Sequence, residues 1–275
     1  PARARREVIV DTSYETLLVE SRDEVLSITL NRPDKLNAFD QKMTDELTSV
    51  LKQAERDSNA RCLVITGAGR AFSSGQDLAD LKDQYRPGVV PRLGGRLRKG
   101  YNPIITRMRA MEKPIIAAVN GVAAGAGASL AFACDLRIAS ETAAFVEAFV
   151  NVGLVPDSGS TFFLPRLVGT GKAFEMCFTG DKVGAAQALD MGLVNYVVDP
   201  DALQMEAHAL AARLAKLPTK AIGLTKRLIN DAHTNSLEQQ LEAEAYHQET
   251  AGTSEDHMEG VMAFLEKREP RFRGK

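Results

Sequence analysis

The sequence predicts a layered α/β core followed by a helical extension, and three observations carry that prediction. Short apolar runs of strand type alternate with helix-period segments over the first two-thirds of the 275 residues. Glycine-rich turns stand where those runs hand over to helices, most densely at Gly121, Gly125 and Gly127. From Pro200 almost to the end only helical spacing is left. Residues 1–200 therefore read as the core, with 1–13 a loose polar arm, and residues 201–275 as a helical C-terminal region.

Thr16–Glu20 and Glu24–Leu30 are rich in Leu, Val and Ile and are split by Ser-Arg-Asp, the pattern of a hairpin. Asn31-Arg-Pro-Asp-Lys-Leu-Asn breaks that pattern, because proline and asparagine favour turns. After Asp40, a predicted N-cap, Met43, Leu47, Val50, Leu51 and Ala54 recur at helical spacing. Cys62–Thr66 is a buried-type strand that ends at Gly67. Leu81–Lys99 mixes Pro87, Pro91, Gly88 and Gly94 with several Lys and Arg residues. It reads as a solvated irregular loop, the alternative being a lid whose cations meet an anionic ligand.

Ile104–Met111 resumes a helix, and Ile115–Val119 is a fully apolar strand leading into the three-glycine loop and a small-residue helix. Leu136–Ile138 and Ala144–Val150 read as strands, Pro156-Asp-Ser-Gly-Ser-Thr as a helix start, Gly180–Gly192 as a short helix and Val194–Val198 as a strand. The final helices break at Leu217-Pro218, Asn235-Ser236 and Gly252-Thr253.

Composition narrows the function classes. A net charge of −2 gives no basic field for nucleic acid. Cys62, Cys134 and Cys177 are far apart among apolar residues, which fits buried thiols in a reducing compartment better than disulfides or zinc. No apolar run reaches membrane-spanning length, and Arg3, Arg5 and Arg6 precede no signal-type apolar stretch, so the expectation is a cytoplasmic protein. Gly67-Ala-Gly-Arg lacks the third glycine of a dinucleotide fingerprint, and no phosphate-binding P-loop is present. The stretch from Pro114 to Asp135 still offers closely approachable backbone N–H groups at a helix start, able to hold a phosphate, a carboxylate or a reaction oxyanion.

Several separated motifs decide among these. Leu30-Asn-Arg-Pro-Asp-Lys-Leu-Asn-Ala, Ile65-Thr-Gly-Ala-Gly-Arg-Ala-Phe-Ser-Ser-Gly-Gln-Asp-Leu, Lys113-Pro-Ile-Ile-Ala-Ala-Val-Asn-Gly, Ala133-Cys-Asp-Leu-Arg-Ile-Ala and Gly153-Leu-Val-Pro-Asp-Ser-Gly resemble, in order and spacing, the crotonase (enoyl-CoA hydratase/isomerase) superfamily. The ending Phe264-Leu-Glu-Lys-Arg-Glu-Pro-Arg-Phe is similar to that family's as well. The resemblance implies a spiral of ββα units, a C-terminal region that assembles homotrimers or hexamers, and acyl-CoA thioester substrates. No cofactor is implied beyond the coenzyme A that the substrate carries, and no nucleic-acid or membrane partner. It also implies an oxyanion hole made by the backbone N–H groups of Gln76 and Ala126, with substrate or CoA contacts at Lys35, Ala38, Ser74, Asp77 and Leu78. Donors fixed in place need little reorganisation as charge builds on the thioester oxygen, and losing one costs roughly 3–4 kcal/mol of barrier.

The departures from the family pattern carry the most information. Aligning the motifs puts Ser129 and Phe149 where a hydratase of this family carries two glutamates, and neither side chain does carboxylate acid/base work. Asp157 is the substitute, and the form around it resembles the phenylacetate-pathway isomerase subgroup, which acts on the epoxide of ring-activated phenylacetyl-CoA and shifts double bonds in acyl-CoA. From local sequence alone Asp157 reads as a helix N-cap; the resemblance adds a catalytic role, and the two are not exclusive. Apolar neighbours (Val152, Leu154, Val155, Phe162, Phe163) are expected to raise its pKa. Glu147 is open between a second pocket acid and a paired carboxylate, and the four histidines read as solvated helix residues. The expected function is an acyl-CoA isomerase with one aspartate. The alternatives are a hydratase using a non-standard acid and a non-catalytic acyl-CoA- or RNA-binding relative.

Overall fold

The apolar runs pair into two sheets rather than one. In the computed structural model, which describes residues 9–11, 13–86 and 88–275, the larger sheet opens with β1 (Ile9–Asp11), β2 (Leu17–Arg22) and β3 (Val25–Leu30), paired antiparallel. Asp23 and Glu24 turn the hairpin with φ of 54° and 64°, the mirror-image turn whose twist matches that of the flanking strands. The sheet continues in parallel through β4 (Cys62–Gly67), β6 (Ile115–Val119), β8 (Leu136–Ser140) and β11 (Tyr196–Val198). The smaller sheet holds β5 (Ala71–Ser73), β7 (Val122–Ala124) and β9 (Ala144–Val146) in parallel, with β10 (Val183–Gly184) antiparallel on β9.

The pairs β4/β5, β6/β7 and β8/β9 each send one strand to each sheet before a helix returns the chain: α3 (Tyr101–Ala110), α4 (Ala126–Ala133) and α5 (Ser160–Val168) respectively. This is the spiral of ββα turns that the family resemblance implied. α1 (Gln41–Arg56) starts where expected, with the Asp40 carboxylate accepting from Met43 N at 2.8 Å. Its Met43, Leu47, Val50, Leu51 and Ala54 are buried, one apolar stripe against the core.

Several expectations need correction. Residues 9–11 of the presumed arm form an edge strand; residues 1–8 and 12 lie outside the described residues. The strand after Ala144 stops at Val146, and Ala148–Val152 coils into a 3₁₀ turn. Two pieces of the supposedly irregular 81–99 segment are helical, a 3₁₀ helix at Ala79–Tyr85 and α2 (Leu93–Lys99). The expected helix at 180–192 divides into β10 and α7 (Ala185–Asp190).

α6 (Thr170–Thr179) follows α5, and the C-terminal region holds α8 (Leu203–Ala215), α9 (Thr219–Asp231), α10 (Leu237–Gly252) and α11 (Glu255–Leu265), broken where the sequence indicated. α8 belongs to the core: Leu203, Ala207, Ala211 and Ala215 bury against Val25, Val64 and Ile116 on one face of the large sheet. Cys62 and Cys134 are buried, and burial pushes both thiols well above their ordinary range. Among the described residues no helix is long and apolar enough to cross a membrane.

Candidate active site

Two glycine-rich loops meet at the mouth of the smaller sheet. Gly75 has φ +88°, and a Cβ there would stand 2.7 Å from Ala124 O and 3.2 Å from Ala126 N, so only glycine lets the 74–77 loop lie against the start of α4. Gly127 packs α4 onto β5 just as tightly; a Cβ there would meet Ser73 O at 2.5 Å. Phe39 grips the first loop from the far side, its N–H donating to Gly75 O at 2.7 Å and its carbonyl accepting from Asp77 N at 2.9 Å. That arrangement leaves the N–H of Gln76 on the opposite edge. Among the described residues neither the Gln76 N–H nor the Ala126 N–H donates to any acceptor.

The Gln76 side chain turns away and is pinned. Its amide donates to Phe39 O at 2.8 Å and Asp77 O at 3.1 Å, and its Oε1 accepts from the Tyr101 hydroxyl at 2.7 Å. Tyr101 is buried at the head of α3 and stands edge-on to Phe39, with ring centroids 5.8 Å apart. Any chemistry at Gln76 therefore falls to its main chain.

Asp157 faces the same space from the loop before α5. A cavity of about 150 Å³ is lined by Gln76, Ala126 and Asp157 together, with Tyr101, Phe149 and Leu154 among its other walls. Ser158 (φ 53°) and Gly159 (φ 82°) are both left-handed, which inserts a tight turn between Asp157 and the helix. Gly159, not Asp157, heads α5, so the expected capping role is not found. The carboxylate instead accepts one hydrogen bond, from Ser158 Oγ at 2.8 Å. Burial raises its pKa above the ordinary aspartate value, and the Ser158 hydroxyl offsets part of that rise. Of the expected apolar neighbours, Val152 and Leu154 line the cavity, Val155 is exposed, and Phe162 lies under the Arg166 guanidinium.

At the two positions read as lost glutamates, Ser129 is fully buried and donates to Gly125 O at 3.1 Å, and Phe149 forms cavity wall. Asp157 is the one carboxylate that lines the cavity among the described residues. Glu147 precedes Ala148 and Phe149 in the chain and is completely buried and outside the lining.

Of the expected CoA contacts, the structure brings Ser74 and Leu78 to the cavity and leaves Lys35, Ala38 and Asp77 beyond its lining. The Asp77 carboxylate is held by Arg32 at 3.0 Å and accepts from Ala79 N at 3.1 Å; the Arg32 bond and charge lower its pKa against the opposing effect of burial. The segment read as a solvated loop, with a lid over the ligand as the alternative, supplies cavity wall through Leu81, Tyr85, Leu93, Arg96 and Leu97. Leu81, Leu93 and Leu97 among the charges of 79–99 were the available signal. Arg96 pairs with Asp80 at 3.2 Å across that wall. A larger hollow of about 520 Å³ between α5 and α9 holds Asp135, but Arg109 (3.0 Å), Lys226 (2.8 Å) and Ile115 N (2.8 Å) already satisfy that carboxylate.

Residues 20–275 match the family described as enoyl-CoA hydratase/isomerase. The chain is 46% identical over 261 residues to the 1,2-epoxyphenylacetyl-CoA isomerase of Escherichia coli, covering 95% of this chain and 99% of that one. It is 42% identical over 265 residues to a Rhodobacter capsulatus protein named "Probable enoyl-CoA hydratase", covering 96% and 100%. Among solved structures, an enoyl-CoA hydratase from a Polaromonas species superposes with a TM-score of 0.88 at 35% identity, covering 93% of this chain and 99% of that one.

Proposed function

The chain belongs to the enoyl-CoA hydratase/isomerase family, and from that premise we propose that it is an acyl-CoA isomerase working with a single aspartate. The thioester oxygen sits between the N–H groups of Gln76 and Ala126. Asp157 takes a proton from the carbon next to the thioester carbonyl, and the C–H electron pair moves onto that oxygen as an enolate. The same carboxyl then returns its proton at another carbon, and the charge flows back. One acid suffices because no water is consumed.

The observation that carries this reading is the cavity wall itself: one carboxylate, raised in proton affinity by burial, opposite two uncommitted backbone donors. The likeness to the 1,2-epoxyphenylacetyl-CoA isomerase supports an unsaturated or ring-epoxide acyl group as the substrate class. Hydration is the second reading, favoured by the hydratase name of the Rhodobacter relative. Hydration has to place a water as well as move its proton, and Glu147 does not line the cavity to help. Lys35 and Ala38 are proposed to meet the CoA portion outside the acyl cavity. The whole molecule is proposed to act as a homotrimer or hexamer.

Asp157→Asn tests the assignment. It should cut isomerisation of a 3-enoyl-CoA by roughly 10²-fold or more, with thioester affinity largely kept. Turnover equal to that of the unmodified protein would remove Asp157 from the mechanism.

A further inference from the structure

Arg96 puts a cation into the wall of the cavity that holds Asp157, and the proposed proton transfer does not use it. α2 brings it there. Leu93, Arg96 and Leu97 stand at i, i+3 and i+4, so they share one face of that helix, and all three line the cavity. An arginine thus occupies a position where a third apolar side chain would complete the face. Arg98 and Lys99, the other cations of α2, are exposed, whereas the Arg96 side chain is only 19% exposed. Arg96 and Asp157 are the two charged side chains of the lining.

The Arg96 guanidinium has donors to spare. Among the described residues Nη2 donates to the Asp80 carboxylate at 3.2 Å, and neither Nε nor Nη1 donates to a protein acceptor. Neighbouring polar groups of the wall are already committed. The Tyr101 hydroxyl donates to Gln76 Oε1 at 2.7 Å, and the Gln76 amide donates to Phe39 O at 2.8 Å. The Ser74 hydroxyl donates to Lys35 O at 3.4 Å. A largely buried cation with uncommitted donors gains by meeting an acceptor, and in this cavity the acyl group is what it meets.

We propose that Arg96 is a specificity-determining residue: it donates a hydrogen bond to an oxygen carried on the acyl group beyond the thioester, and so selects oxygen-bearing acyl groups over plain hydrocarbon ones. This rests on the reading of the cavity as the acyl site. The apolar walls, Leu97, Val152 and Leu154 among them, hold a carbon skeleton by contact alone, which separates one chain from another only weakly. A donor that a hydrocarbon leaves unpaired separates them far more. Asp80 fixes one edge of the guanidinium, which keeps the remaining donors aimed rather than free to swing. A ring epoxide and a chain hydroxyl offer Arg96 the same acceptor chemistry.

Binding tests this without catalysis. Calorimetric titration with two matched pairs, hexanoyl-CoA against ω-hydroxyhexanoyl-CoA and cyclohexylacetyl-CoA against its ring epoxide, reads what the oxygen contributes. In the unmodified protein at least one oxygen-bearing thioester should bind roughly tenfold or more tightly than its hydrocarbon counterpart. Arg96→Met should erase that difference, and Arg96→Lys should keep part of it. A preference confined to the epoxide assigns Arg96 to ring substrates; one confined to the hydroxyl assigns it to open chains. Equal affinities within both pairs in the unmodified protein would overturn the proposal, and so would an oxygen preference that survives Arg96→Met. Neither result depends on what the substitutions do to stability. Absence of isomerisation on a 3-enoyl-CoA, with the oxygen preference intact, would count against the isomerase reading alone.

Discussion

At the scale of single residues, the site depends on which polar groups are spoken for. Gln76 spends its whole side chain on Phe39, Asp77 and Tyr101, which fixes its peptide without blocking the N–H. Tyr101→Phe deletes one of those bonds, so kcat should drop roughly tenfold with KM little changed, at a stability cost of about 1–2 kcal/mol; steady-state kinetics beside denaturant unfolding would separate the two effects. Glu147 makes a second, thermodynamic prediction. Its folded-state pKa is raised from 4.5 to about 7, so the folded state binds the proton more tightly than the unfolded chain. Stability tied to that proton is present below about pH 4.5 and is lost as pH climbs through about 7, a change of roughly 3 kcal/mol. Unfolding free energies of Glu147→Gln and the unmodified protein should diverge in the variant's favour across that window and run parallel above it.

At the scale of elements, close approach of backbones brings the 74–77 loop against the start of α4. Gly127→Ala forces a Cβ to within 2.5 Å of Ser73 O, a backbone atom that cannot step aside. That substitution should cost more than about 2 kcal/mol and depress turnover. Gly171→Ala, in α6 with nothing within 4 Å of the new methyl, should be neutral or stabilising by about 0.5–1 kcal/mol; thermal unfolding of the two variants checks the contrast. The elements legible in the sequence were those with a strong period: the α1 stripe behind the Asp40 cap, the all-apolar β4 and β6, and the breaks between the C-terminal helices. β5 and β7 were hidden because three residues are too few to show alternation. The helices within 79–99 were hidden because their leucines are spread among charges and glycines. Asp157 looked like a cap because two left-handed residues, Ser158 and Gly159, cannot be read from letters alone.

At the scale of the whole molecule, the spiral places three loops from different ββα turns around one cavity: the 74–77 loop after β5, the 125–127 loop after β7, and the 153–159 loop beyond β9. In the proposed mechanism the first two supply the donors and the third supplies the acid, which would make the chemistry a property of the fold's repetition. Beyond that core, α6, α10 and α11 show large apolar side chains to solvent in the single chain, among them Phe178 (69%), Leu237 (70%) and Phe264 (83%). Sedimentation equilibrium should accordingly give a mass of three, or six, copies of the 29.8 kDa chain; a monomer at micromolar concentration would contradict the assembly. The central claim is that one carboxylate moves a proton and no water enters the product. Incubation with a 3-enoyl-CoA in ¹⁸O-labelled water, followed by mass and ultraviolet absorbance, tests it most directly. A conjugated thioester of unchanged mass, with no ¹⁸O, is the predicted product. A product heavier by one labelled water, without the conjugated absorbance, would contradict it.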